Sequence, residues 1–285
     1  MKNSQYCFCF VSQSGDLEIQ SLLLAASLSK NVQCSYEMIA AIPLEYGELK
    51  ETTYTIFREL NVKTINISNP IKKTYKIGNK LSCLEKASKI TRARYVIFLD
   101  TDIVCNRNFH EVKNIEKYDI SARVVGEPCR KWWKNESKWK PLYDMFGLQL
   151  PKERILSETQ ELILPFFNAG FIAIHKNSAF PAKWRELSQI IYENFYNEAS
   201  ERKKKKKKKH FTDQLSIPIA IRALELNYQC LDHKYNSAPF IKEGAIFLHY
   251  HNLNELFINY PECTPLLSHI LKKYPQLADM LAPKE

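Results

Sequence analysis

The chain has 285 residues, 45% apolar and 25% charged, a globular composition that excludes disorder as the main state and suits one large domain or two small ones. Seven units of the +10 formal charge come from the unbroken run Lys203 to Lys209, and the remaining +3 does not describe a basic nucleic-acid-binding surface. No apolar run approaches the ~20 residues of a membrane-spanning helix, and Tyr6 to Val11 is shorter than the ~7 to 15 residues of a signal-peptide core, so the expected location is cytoplasmic.

In chain order, Tyr6 to Ser12 reads as an apolar strand, and Asp16 to Ser29 repeats Ile19, Leu22, Leu23, Ala26 and Leu28 at helical spacing. Gln33 to Pro43 and Asn61 to Ser68 are further predicted strands, separated by a helical stretch from Gly47 to Leu60. Leu81 to Thr91 is predicted helical and Arg94 to Leu99 is a dense apolar strand, an alternation that implies a largely parallel sheet covered by helices. Beyond residue 105 the spacing predicts a short helix near Asn108 to Lys117, a strand at Tyr118 to Val125 and another at Phe167 to Ile174. Helices follow at Ala179 to Asn197 and Thr212 to Leu226, then a strand at Ala245 to Tyr250 and a helix near Pro265 to Met280. With no repeat and no long linker, residues 1–285 are read as one domain.

The seven glycines are informative because no two lie closer than Gly126 and Gly147, which excludes both the dinucleotide Gly-x-Gly-x-x-Gly fingerprint and the phosphate loop. The eight cysteines show no Cys-x-x-Cys spacing and sit in apolar segments, as buried thiols of a reducing compartment would.

The sharpest feature is Tyr95-Val96-Ile97-Phe98-Leu99 running into Asp100-Thr101-Asp102. A buried strand ending in two carboxylates delivers both to the carboxyl edge of the sheet, where open α/β folds bind ligands. Such acids serve as a metal site or an acid/base pair, or they begin a turn. One specific reading is that the segment looks like the first motif of haloacid-dehalogenase-type phosphatases, with Asp100 as nucleophile and Asp102 as general acid. That family also needs a downstream lysine and a paired-acid motif for magnesium, whereas the later aspartates, at 119, 144, 213, 232 and 279, are never adjacent.

The other reading is that the segment resembles the Asp-x-Asp motif of glycosyltransferases with the GT-A fold, especially the family 8-like group, whose motif also lies about a hundred residues into the chain after several strand-helix units. Three more segments support that resemblance: Phe167-Asn168-Ala169-Gly170, Thr212-Asp213-Gln214 at a helix start, and Phe247-Leu248-His249-Tyr250-His251 near the C-terminus. The resemblance implies a Rossmann-like mixed sheet with helices on both faces, a nucleotide-binding half over residues 1–105, a donor and acceptor half over 106–262, and a C-terminal helix over 263–285. It implies that Asp100, Asp102 and His249, with His251 as the fallback, hold Mn²⁺ or Mg²⁺ against the diphosphate of a nucleotide sugar, the carrier being uridine diphosphate. It further implies that Asn168, Asp213 and Gln214 stand at the reacting sugar, and that Asp100, Thr101, Ala169 and Gly170 lie against the donor. Lys80 would offset phosphate charge, while Ser12, Gln13 and Asp16 would meet base and ribose. Family 8 members usually follow the C-terminal His with Gly and Lys-Pro-Trp; here His251-Asn252-Leu253-Asn254-Glu255 follows, a departure from the pattern.

The activity so implied is metal-dependent transfer of a hexose from a nucleotide-diphosphate donor to a glycan or lipid-linked saccharide. Trp132, Trp133, Trp139 and Tyr143, within Glu127 to Phe146, either form an acceptor wall, since aromatic faces stack on sugar rings, or pack a subsidiary core or a partner chain. The lysine run reads as a solvated loop, or as a peripheral contact with an anionic membrane; without interleaved aromatics it offers no specific nucleic-acid readout. A non-catalytic anion-binding protein acting through that run is the alternative outside enzymology.

Overall fold

The computed structural model describes residues 4–126, 135–195, 211–237 and 244–281. Its first hundred residues alternate strand and helix: β1 (Tyr6–Val11), α1 (Asp16–Asn31), β2 (Tyr36–Pro43), α2 (Glu51–Glu59), β3 (Val62–Ile67), α3 (Asn79–Ile90) and β4 (Tyr95–Leu99). There follow β5 (Ile103–Cys105), β6 (Ile120–Val124), α4 (Glu136–Asp144), β7 (Ile155–Leu156), β8 (Leu162–Ile163), β9 (Phe167–His175) and α5 (Phe180–Phe195). The remainder comprises α6 (Thr212–Ala223), β10 (Tyr228–Leu231), β11 (Phe247–His249), α7 (Leu253–Asn259), α8 (Thr264–Lys273) and α9 (Pro275–Leu281).

Among the described residues the main sheet has seven strands in the order β10-β6-β9-β4-β1-β2-β3. Neighbours pair in parallel except around β9, which runs antiparallel to both β4 and β6. The sheet is therefore mixed, a parallel array with one reversed strand. Strands covered on both faces read as continuous apolar runs, because each alternating side chain meets a helix layer. In β1, Tyr6, Phe8 and Phe10 enter the layer under α1, while Cys7, Cys9 and Val11 enter the layer under α3. In β4, Tyr95, Ile97 and Leu99 take the first side, and Val96 and Phe98 the second. Full burial of a side chain such as Phe8 is worth about 1.5–3 kcal/mol, so these two strands anchor both halves of the core.

Several expectations are corrected. No α-helix forms near Asn108 to Lys117: only Ile115–Lys117 makes a 3₁₀ turn. Phe109 is fully buried and bridges Val32, its amide bonding Asn31 O and its carbonyl accepting from Gln33 N, so its backbone groups have non-helical partners. The C-terminal helix is two helices, broken at Tyr274 (φ −126°, ψ 76°), because a residue preceding proline, here Pro275, is driven out of the helical region. Trp139 and Tyr143 do not form an acceptor wall; both are 1% exposed and sit in the layer under α3, Trp139 packing edge-on against Phe166. Trp132 and Trp133 lie outside the described residues, as do Lys203 to Lys209 and Cys129. Cys230 is exposed on the edge strand β10 and Cys34 half-buried, against the expectation that all the thiols are buried; the other described cysteines are buried. No helix among the described residues is long and apolar enough to cross a membrane.

Candidate active site

The site assembles at the carboxyl end of β4. Asp100 is fixed there by a backbone bond from its amide to Gly170 O (2.8 Å), and Thr101 by its hydroxyl, which donates to Val11 O at 2.8 Å. The chain then turns into β5, whose antiparallel partner β11 aligns His249 with Ile103. Tyr250 N donates to Asp102 O at 3.0 Å, so the pairing of two three-residue strands sets the imidazole beside the second carboxylate. His249 Nε2 lies 3.0 Å from Asp102 Oδ1, and His251 Nδ1 lies 3.9 Å from Asp102 Oδ2. His251 adopts a left-handed backbone (φ 65°) immediately before Asn252, whose side chain caps α7 by accepting from Glu255 N. One ligand atom from each of Asp102, His249 and His251 falls within 4.8 Å of the others.

Asp100 faces a different partner. Lys80, in the first turn of α3, places its ammonium 2.9 Å from Asp100 Oδ1 and 3.0 Å from Asp213 Oδ2. Asp213, in the first turn of α6, is 2% exposed, and its Oδ1 has no partner among the described residues; nor does the buried Oε1 of Gln214. Trp184 Nε1 donates to Asp213 O at 2.7 Å, pinning the start of α6 to α5. Three chain segments distant in sequence thus meet around one ammonium group.

Burial pushes the Lys80 ammonium down, but Asp100 and Asp213 outweigh it and hold the group above its ordinary range. Burial raises the Asp100 carboxyl and Asp102 adds to the effect, so Asp100 stays above the usual value even beside Lys80. Burial also raises Asp102, but His249 and His251 prevail and hold it well below the usual carboxylate range. Burial would lower His249; Asp102 and Asp100 reverse that and raise it.

Gly170 lies at the crowded middle of this arrangement. A Cβ there would stand 2.9 Å from Asn168 Oδ1, 2.9 Å from Asn236 Nδ2 and 3.2 Å from Asp100 Oδ2, which leaves room for hydrogen only. Asn168 is turned inward: its Oδ1 accepts from Gly170 N (2.7 Å) and from Asn236 Nδ2 (2.7 Å). The local cause is a register break between β6 and β9, where Ala122 pairs with Ile172 but Val124 with Phe167, freeing residues 168–171 from regular pairing with β6. Ala169 is fully buried beside them.

Of the residues expected near base and ribose, Ser12 is fully buried with its hydroxyl against that of Ser21 (2.8 Å). Gln13 is buried and accepts from Asn79 Nδ2 at 3.1 Å, tying the end of β1 to the start of α3. Asp16 is exposed in the first turn of α1. The sequence reading missed Asn236 and Arg123. Asn236 is fully buried and its Oδ1 lies 3.1 Å from His249 Nδ1; its backbone carbonyl accepts from Arg123, a buried guanidinium paired with Glu158. No local pattern around Tyr235-Asn236 marks it, since its partners lie elsewhere in the chain.

Solved structures share this architecture at low identity. The crystal structure of mouse xyloside xylosyltransferase 1 in its apo form superposes with TM-score 0.51 at 13% identity, over 89% of this chain and 99% of that one. The galactosyltransferase LgtC, solved with donor and acceptor sugar analogues, gives 0.51 at 10% identity over 98% and 97%. The glycosyltransferase GlyE of Streptococcus pneumoniae gives 0.51 at 11% over 97% of this chain and 64% of that one. These likenesses show the GT-A fold. No curated protein matches the chain. Residues 8–225, which include Asp100, Asp102, Asn168 and Asp213, match the Rhodobacterales glycosyltransferase domain, and the chain belongs to that glycosyltransferase family.

Proposed function

We propose that the protein transfers a hexose from a nucleoside-diphosphate donor, uridine diphosphate being the carrier, to a glycan or lipid-linked saccharide, with a divalent cation held by Asp100, Asp102 and His249. The observation that supports this most directly is the convergence of Asp102, His249 and His251 within 4.8 Å, beside Asp100, at the carboxyl edge of β4. Carboxylate oxygen and imidazole nitrogen together make a mixed donor set that suits Mn²⁺ better than Ca²⁺. His249 Nε2 stands 3.0 Å from Asp102 Oδ1, so an imidazole nitrogen and a carboxylate oxygen already face one another at the place a cation would be held. When bound, such a cation supplies Lewis-acid neutralisation of a departing diphosphate.

The protein's own groups supply the rest. Transfer breaks the bond between sugar C1 and the phosphate oxygen, forms a bond from C1 to the acceptor hydroxyl oxygen, and releases that hydroxyl's proton. Lys80 is a fixed positive charge of the kind that stabilises a growing negative charge without reorganisation. Asp213 Oδ1 and Gln214 Oε1, buried and unpartnered among the described residues, are acceptors suited to sugar hydroxyls. Asn168 and Gly170 shape the floor on which the donor would lie, and Asp16, exposed in the first turn of α1, would meet base and ribose. The one-domain organisation over residues 1–285, the cytoplasmic location and the peripheral contact of the lysine run with anionic membrane belong to the same proposal.

Calorimetric titration with uridine diphosphate in Mn²⁺, repeated in excess chelator, tests the reading. Binding that requires the cation is the expected result; binding that is indifferent to chelator refutes the cation site.

A further inference from the structure

Asn236 lies outside the segment that matches the family domain, is fully buried, and touches both sides of the site. Its hydrogen bonds can be oriented without ambiguity from a backbone anchor. The Gly170 N–H can only donate, so the atom of Asn168 that it meets at 2.7 Å is the carbonyl oxygen Oδ1. The Asn236 atom 2.7 Å from that same oxygen must donate, and is Nδ2. Its carbonyl oxygen Oδ1 is therefore the atom that faces His249 Nδ1 at 3.1 Å, and that ring nitrogen must carry the proton. Nε2 is then the ring atom turned to Asp102 and available to a cation.

We infer that Asn236 is the positioning residue of this site: its amide relays the direction fixed by the Gly170 N–H to the His249 ring, coupling the donor floor to the cation ligand. Its backbone is itself held by Arg123, which is 3% exposed and paired with Glu158 in the loop between β7 and β8. Partners that orient a metal-bound imidazole are worth about 10–100-fold in metal affinity. The inference rests on the divalent-cation reading, and a second readout separates the two.

Asn236→Leu removes both arms of the relay at similar volume. Asn236→Asp keeps an acceptor for the His249 Nδ1 proton but sets a carboxylate oxygen against Asn168 Oδ1. Mn²⁺ titration followed by electron paramagnetic resonance should show a loss of about 10–100-fold in Asn236→Leu and retention of affinity within about 3-fold in Asn236→Asp. The Asp variant should instead raise the donor KM in sugar-nucleotide turnover, a split that a simple packing role would not produce. Nitrogen-15 spectra of histidine-labelled protein should show an exchange-protected Nδ1 proton on His249 in the wild type and in Asn236→Asp, and its loss in Asn236→Leu. If wild-type protein takes up no Mn²⁺, the cation reading fails, while the Nδ1 signal still decides the relay. A folded Asn236→Leu with wild-type Mn²⁺ affinity and an intact Nδ1 proton overturns the inference; Asn236→Ser serves in the same comparison should the Leu variant not fold.

Discussion

Replacing Lys80 by Met tests the electrostatic frame of the site most severely, because the thioether keeps much of the side-chain bulk and removes only the charge. Lys80 is 11% exposed, and the two carboxylates it bridges are unequal: Asp213 is 2% exposed and Asp100 21%. Removing one partner of a buried pair costs about 3–5 kcal/mol, since the other charge stays buried and uncompensated. Water can reach Asp100 in part, so the lower end applies, about 3 kcal/mol, nearly all of it from Asp213. For a chain of this size about 2–4 °C is lost per kcal/mol, which places the expected drop in Tm at about 6–12 °C. Thermal unfolding followed by circular dichroism measures it in metal-free protein. The decisive comparison is Lys80→Met combined with Asp213→Asn, where the orphaned charge is gone; at least half of the lost Tm should return. A single-variant drop under about 2 °C, or a double variant no more stable than the single, would show that Lys80 does not compensate Asp213 and would refute the reasoning.

Asp102→Asn should abolish sugar transfer and lower Mn²⁺ affinity while leaving the circular dichroism spectrum intact; full turnover in a folded variant would remove Asp102 from the cation site. Gly170→Ala should cost about 1–3 kcal/mol by overpacking against Asn168, Asn236 and Asp100, read as a lower urea midpoint together with weaker donor binding. Glu85 accepts from Lys89 (2.7 Å) and Arg185 (2.5 Å); burial raises its carboxyl, but these two partners prevail and hold it below its ordinary value of 4.5. A carboxyl depressed on folding stabilises the native state above its unfolded pKa and loses that contribution as pH falls through the folded value. Tm should therefore decline below about pH 4.5 more steeply in wild type than in Glu85→Gln, and superimposable profiles would contradict the assignment.

The parts of the fold legible in the sequence are those where one physical effect dominates. β1 and β4 are sandwiched between helix layers, so every residue is apolar and the strands stand out without any periodicity; Asp100 and Asp102 are then conspicuous as the point where burial ends. The start of α6 is legible through Thr212-Asp213-Gln214, whereas the ion pair of Asp213 with Lys80 is not, since it joins two helix starts far apart in the chain. β5 and β11, at three residues each, are too short for a strand pattern to define their limits, although they deliver His249 to Asp102. β10, Tyr-Gln-Cys-Leu, is an edge strand with a partly polar face and gives no apolar run. Phe109 misled because its neighbourhood has helical spacing while its backbone is committed to Asn31 and Gln33. Trp139 left two readings open, acceptor wall or core, because an aromatic amid lysines fits either until the packing of Phe166 against it is known. Asn236 was invisible because its role exists only through residues 168 and 249.

The pairing of β5 with β11 joins residue 103 to residue 249, so the imidazole reaches Asp102 through a contact between segments far apart in the chain. Closing so large a loop is entropically slow, and contacts of this kind form late when a protein folds. On the proposed cation reading, metal binding is then a clock: in a refolding experiment, affinity for Mn²⁺ would emerge after the β1–β4 core has regained its secondary structure, and its appearance would mark the moment at which the C-terminal segment has docked.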